Sequence, residues 1–323
     1  MKKVLSILTA LMMTIMVTGC QKTDSNLIKI GIIQLAEHEA LDSAYNGFVE
    51  RLAELGYKDG ENIKIEYQNA QGDTSNCITI ADKLVNDKKD LILAIATPAA
   101  MAVANKTKDI PILCTAVTDY AFSNLVKDNN KPDTNVSGTS DLNPIDKQVD
   151  LLLQIVPEAK NVAILYCSSE PNSEVQAKEV ERLLAEKNIK ATHATVVTSN
   201  DIKQVVEALN GKVDAIYAPT DNVISDAMVT VSDICNSLKI PTIVGEPVLV
   251  DKGGLATVGI DYNLLGRMTA EMAVDILKNG NNPANMPIQY SNEFAVVLNE
   301  KTASTIGIEL PNELVEKADR IVK

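Results

Sequence analysis

The chain has no tryptophan, three phenylalanines and two histidines among its 323 residues. Aromatic side chains therefore cannot be the main filling of a core, nor can they form a base-stacking platform for single-stranded nucleic acid. Basic residues are also in deficit: 30 Lys and Arg stand against 43 Asp and Glu, a net charge of −13. Nucleic-acid binding by counterion release needs clustered Lys and Arg, so this class is excluded as well. Catalytic signatures are missing too. The sequence holds no GxSxG elbow, no phosphate-cradling Walker-type loop, no GxGxxG after a strand and no HExxH, and two histidines leave little general-base capacity. With 43 acidic residues, chance carboxylate pairs are inevitable and specify no glycosidase dyad. The reading is of a binding protein and not an enzyme, with no catalytic residue, no metal site and no cofactor.

Long apolar stretches are equally scarce. The one run, Val4 to Val17, follows Lys2 and Lys3 and ends in Val17-Thr18-Gly19-Cys20. It is too short to span a bilayer comfortably as a helix, which takes about 20 residues. Its basic start, apolar middle and small-residue end before a cysteine resemble a bacterial lipoprotein signal peptide. Residues 1–19 are thus expected to be removed, with Cys20 lipidated and residues 20–27 forming a polar tether. The protein would then sit at the cell membrane on its extracytoplasmic face, held by acyl chains. The mature chain keeps 28 basic and 43 acidic residues, a net charge of −15. The remaining cysteines, Cys77, Cys114, Cys167 and Cys235, form no CxxC pair. Their spacing suits buried small apolar residues, with a single disulfide left open.

What is present is alternation. A chain of this length makes about two domains at roughly 150 residues each, and 46% hydrophobic residues with a mean hydropathy of +0.01 suit globular ones. Strand Ile28–Ile33 precedes an amphipathic helix from Leu41 to Leu55 that stops at Gly56. Strand 63–67, helix 77–85, strand 91–96, helix 98–105 and strand 111–115 follow by the same periodicity rules. A second series runs as strand 162–166, helix 175–186, strand 192–197, helix 202–209, strand 215–217, helix 223–238 and strand 241–244. The wording repeats: Asp90 to Thr97, a helix and Asp109-Ile110-Pro111 match Asp214 to Thr220, a helix and Lys239-Ile240-Pro241. Such tandem βαβ series predict two doubly wound α/β lobes with parallel sheets, whose ligands lie outside the carboxyl ends of the strands.

The strand ends name the candidate ligand contacts. In the first lobe they are Gln34 and His38, then Thr97, Pro98 and Ala99, then Thr118, with Asp119 beside it. In the second they are Ser168, Ser169 and Asn172, then Thr220, Asp221 and Asn222, then Glu246. Asp141 and Asp261 add acceptors near the joins between lobes. Thr97 and Ser168-Ser169 stand where helix N-termini and hydroxyls bind an anion such as a carboxylate. The carboxylates suit an ammonium group, and together these residues suit a zwitterion. Considered singly, most are ordinary N-caps; position at the strand ends is what raises them.

Strings across residues 28–323 then carry a resemblance: Ala96-Thr97-Pro98-Ala99-Ala100, Ser137 to Asp141, Leu165 to Ser173, Pro219-Thr220-Asp221-Asn222, Gly253 to Ala256, and the tail from Leu298-Asn299 to Leu310-Pro311. They resemble the ABC-transporter substrate-binding lipoproteins of the tryptophan/tyrosine-binding type. The resemblance implies a type I periplasmic-binding-protein fold, with two lobes joined by a three-stranded hinge near Leu142, Asp261-Tyr262 and Pro287–Ser291. Lobe 1 would comprise residues 28–141 and 262–288, and lobe 2 residues 142–261 and 289–323. It also implies a monomer that hands an amino acid, often aromatic, to ABC permease subunits. The ligand carboxylate would meet Thr97 and Ser168-Ser169, and its ammonium Asp141 and Asp221. Where the family has an aromatic residue just after the first strand, this chain has Leu35. A receptor for a neutral solute, a sugar or nucleoside, is the alternative on the same fold, for transport or sensing.

Overall fold

The computed structural model describes residues 27–323, so the expected signal segment, Cys20 and nearly all of the tether lie outside the described residues. The first lobe begins with β1 (Ile28–Gln34), α1 (Glu39–Glu54), β2 (Ile63–Asn69), α2 (Thr74–Asn86), β3 (Leu91–Ile95), α3 (Thr97–Lys106), β4 (Ile112–Val117) and β5 (Val136–Ser140). Ile30, Ile32 and Ile33 of β1 and all of β3 are buried, as befits strands covered on both faces of a parallel sheet. In α1, Ala40, Leu41, Ala44, Phe48 and Leu52 recur at helical spacing and are buried, which fixes the face turned to the sheet.

The second lobe contains α4 (Ile145–Ile155), β6 (Asn161–Cys167), α5 (Pro171–Glu186), β7 (Lys190–Val196), α6 (Ile202–Glu207), β8 (Ala215–Ala218), α7 (Asn222–Asp226), α8 (Met228–Leu238), β9 (Thr242–Val244), α9 (Pro247–Asp251) and β10 (Ala256–Gly259). The helix expected over 223–238 is two, α7 and α8, which meet at Ala227. The chain then returns to the first lobe as α10 (Tyr262–Asn279) and β11 (Gln289–Tyr290). It finishes in the second with β12 (Ala295–Asn299), α11 (Glu300–Ile306), α12 (Asn312–Lys317) and β13 (Arg320–Val322).

The sheet orders are β11-β5-β4-β3-β1-β2 and β13-β12-β10-β9-β8-β6-β7. Reading each from its own first strand gives the same order, 2-1-3-4-5, so the repeat seen in the wording is a repeat of topology. All pairings are parallel except β10 with β12. The fifth strand of each repeat escaped the sequence pattern, because Val-Ser-Gly-Thr-Ser and Ala-Thr-Val-Gly carry few of the branched residues that mark a strand. The first lobe runs past its expected boundary at residue 288, within the expected third crossover. Residues 289–290 pair with β5 through Gln289–Thr139 and Tyr290–Ser140, which puts them in the first sheet rather than the second. Two exposed residues leave no hydrophobic signature from which to place that boundary.

The return of α10 depends on two glycines. A Cβ on Gly47 would lie 2.1 Å from the Asn263 carbonyl oxygen, and one on Gly266 would lie 2.0 Å from that of Ala44. Only backbone against backbone lets α1 and α10 lie this close. The four cysteines within the described residues are free and buried, as small apolar residues would be.

Candidate functional site

The carboxyl ends of the two sheets meet, and direct contacts join them. His38, just before α1, places Nε2 3.3 Å from Oδ1 of Asn222 on α7. On another side Lys178 of α5 lies over the Phe122 ring of the first lobe, 5.4 Å from its centroid. The hinge is tied as well: Asn143 donates to Thr220 Oγ1 at 3.2 Å and accepts from the Ile260 N–H at 3.1 Å, linking two crossovers. A cavity of about 350 Å³ opens between Leu35, Ala36 and Gln71 of the first lobe and Glu170, Val197 and Asn222 of the second.

From the first lobe, Gln34 at the end of β1 donates to the Ala36 carbonyl and to Asp42 Oδ1, each at 2.7 Å, and its own Oε1 has no partner among the described residues. Thr97 opens α3, a helix whose first turn has no side-chain cap. Its hydroxyl is buried and without a hydrogen-bond partner among the described residues. The residue before it, Ala96, is held at φ 82° and ψ 151°, a region that side chains other than glycine rarely adopt and that costs of order 1–3 kcal/mol. Pro98 is half-buried and Ala99 buried. Thr118 donates to Asp141 Oδ1 at 2.8 Å, and Tyr262 donates to Asp141 Oδ2 at 2.8 Å.

The second lobe is richer in acid. Asp221 caps α7, accepting from the Ile224 N–H at 2.9 Å, the Cys167 N–H at 2.6 Å and the Ser173 hydroxyl at 2.7 Å. Glu170 Oε2 accepts from Asn172 Nδ2 at 3.0 Å, the Asn222 N–H at 3.1 Å and Asn222 Nδ2 at 2.7 Å. Burial, with the Asp221 charge added, pushes its carboxyl up to about 7. Burial lowers the His38 imidazole, favouring its neutral form. Glu246 precedes α9; its Oε1 accepts from Ser225 at 3.1 Å, while Oε2 is buried with no partner among the described residues. Asn172 Oδ1 is likewise unpartnered.

Most of the residues picked from the strand ends sit buried or half-buried at those ends: Gln34, His38, Thr97, Pro98, Ala99, Thr118, Asp141, Asn172, Thr220, Asp221, Asn222 and Glu246. Three do not. Ser168 and Ser169 are exposed, with Ser168 turned back to the Val196 carbonyl. Asp261 is exposed and caps α10 by accepting from the Asn263 N–H at 2.8 Å. Sequence reasoning passed over Glu170, Ser173, Ser225 and Tyr262. Glu170 lay inside a quoted string, but nothing in a sequence tells a buried Glu from an exposed one.

Eight buried side-chain polar atoms have no partner among the described residues, and four of them, on Gln34, Thr97, Asn172 and Glu246, sit at these strand ends. Buried polar atoms are ordinarily satisfied, so these four leave hydrogen-bonding capacity open at the strand ends. The family model for ABC transporter substrate binding proteins matches residues 29–322. The chain belongs to that family. Its members bind substrate for a transporter and perform no chemistry on it. Among the relatives of this ABC transporter substrate-binding protein is the tyrosine-binding protein of Clostridioides difficile, 42% identical over 95% of this chain and 93% of that protein. A Streptococcus pneumonia ABC domain solved with L-Trp is 38% identical, with a TM-score of 0.88 over 92% of this chain and all of that one. A ligand-free, open substrate-binding protein with adhesive properties from Clostridium difficile is closer in sequence, at 45% over 92% of this chain and all of that one, but its TM-score is only 0.71. Sequence and overall shape rank these two relatives oppositely. In overall shape the chain is nearer to the relative solved with L-Trp than to the ligand-free, open one.

Proposed function

We propose that this is the extracytoplasmic receptor of an ABC importer, binding an α-amino acid with an aromatic side chain between its two lobes. One observation carries the reading: opposite lobes offer complementary unsatisfied groups. The first lobe offers the Thr97 hydroxyl at the uncapped start of α3, where peptide N–H groups and the helix dipole favour a carboxylate. The second offers a buried carboxylate oxygen, Glu246 Oε2, for an ammonium. Each oxygen of Asp141 and Asp221 already accepts a hydrogen bond whereas Glu246 Oε2 accepts none from the described residues, so Glu246 has the greatest unmet demand for an ammonium. A ligand touching both half-sites favours the closed arrangement, because only there are both contacts made. The closed receptor is the form a permease would select. The relatives named for tyrosine and solved with L-Trp support an aromatic amino acid over a neutral sugar or nucleoside.

The test is calorimetry on protein lacking residues 1–19, unfolded and refolded to shed bound solute. L-Tryptophan, L-tyrosine or L-phenylalanine should bind, and ligand at about 100 times its Kd should raise stability by about 2.7 kcal/mol. Binding of neutral sugars or nucleosides, with none of the amino acids, would defeat the proposal. The lipid anchor is tested separately: Cys20→Ser should abolish incorporation of labelled fatty acid and release the protein from the membrane.

A further inference from the structure

Asp141, at the end of the first sheet's fifth strand, and Glu246, at the end of the second sheet's fourth, come from different lobes and are both buried. The charged and titratable groups bearing on Glu246 are Asp141, Asp221, Lys252 just after α9, and Tyr262 at the start of α10. Lys252 is the one cation among these, and its influence on Glu246 is smaller than that of Asp141. Glu246 is therefore buried with little positive charge to offset its own, and its Oε2 accepts no hydrogen bond from the described residues.

We propose that Glu246 makes closure conditional on a cationic amino group. In the empty protein, shutting the lobes strips water from Glu246 and sets it against Asp141, so the open arrangement is preferred. A ligand ammonium between the lobes supplies the missing charge and three donors, one of them for Oε2. Without ligand, the same vacant demand is met by a proton taken from solvent onto Glu246, which neutralises it. Burial and Asp141 push the closed-state carboxyl from its ordinary value of 4.5 up to about 8. The sign follows: the open form holds Glu246 ionised above about 4.5, the closed empty form holds it protonated up to about 8, and lowering pH through that window favours empty closure. This rests on the amino-acid reading for its ligand, and it adds two consequences: rejection of des-amino analogues, and a lock against closing empty.

The experiment compares wild type with Glu246→Gln. Calorimetry with L-tryptophan and with indole-3-propionate, its des-amino counterpart, should give at least a hundredfold preference for the amino acid in wild type and less than tenfold in the variant. Small-angle scattering of the unliganded proteins should show wild type extended at pH 8 and more compact at pH 5.5, with the variant compact at both. An E246Q protein that keeps the wild-type preference, or is as extended as wild type at pH 8, overturns the proposal. Should that variant fold poorly, the pH series on wild type decides alone: no compaction between pH 8 and 5.5 overturns the lock. If wild type binds no amino acid, the functional reading fails, and the scattering comparison still judges the lock.

Discussion

The two lobes share a strand order and differ in the face each brings to the other. The first presents hydroxyl, amide and helix N-terminus through Gln34, Thr97 and α3; its nearby carboxylate, Asp141, is bonded to Thr118 and Tyr262. The second presents Glu170, Asp221 and Glu246, all buried. At the matching position of the repeat, Thr97 has a hydroxyl with no partner among the described residues, whereas Thr220 Oγ1 accepts from Asn143 and the Thr220 carbonyl from Gln176 at 3.0 Å. Duplication of one topology thus produced an electron-poor half-site and an electron-rich one. That polarity is what a zwitterion requires, and no single lobe supplies it.

The contrast can be broken most severely where the first lobe depends on its returning helix. Gly266→Val should push α10 from α1 and lower unfolding free energy by at least about 3 kcal/mol, read by urea denaturation. A milder effect would mean the helix shifts freely and the close approach is unimportant. Next comes the threonine–aspartate comparison. Asp221→Ala strands the Cys167 and Ile224 N–H groups and the Ser173 hydroxyl, and should cost about 3 kcal/mol of stability. Thr97→Ala removes a hydroxyl with no partner among the described residues, so stability should change by less than about 0.5 kcal/mol while L-tryptophan affinity falls about tenfold. Equal stability losses would erase the distinction between a supporting residue and a contacting one. The smallest effect belongs to the rim: Lys178→Ala removes an exposed cation–π contact between lobes and should weaken ligand binding only about two- to fivefold, through faster dissociation.

Much of the fold was legible because buried parallel strands announce themselves by runs such as Leu91–Ile95 and because the second series repeats the first. The site was legible in part, since strand carboxyl ends are where doubly wound sheets bind ligand. Ser168 and Ser169 show the limit of that rule. They follow a strand as required, yet they face solvent, because the turn leading into α5 buries Glu170 and Asn172 in their place. Asp221 shows another limit. A carboxylate at a helix start reads equally as cap or as ligand contact, and only its three donors settle that it is a cap first.

The amino-acid sequence by itself determined the class of the molecule: two α/β repeats, no catalytic signature, and a scarcity of aromatics and basic residues. These follow from local periodicity and residue chemistry, which are written along the chain. Tertiary structure decided which carboxylate is left wanting. Glu246 and Asp141 lie more than a hundred residues apart and belong to different lobes, and both are buried in the folded chain. Desolvation depends on everything that surrounds a group, and that surrounding is assembled from distant segments.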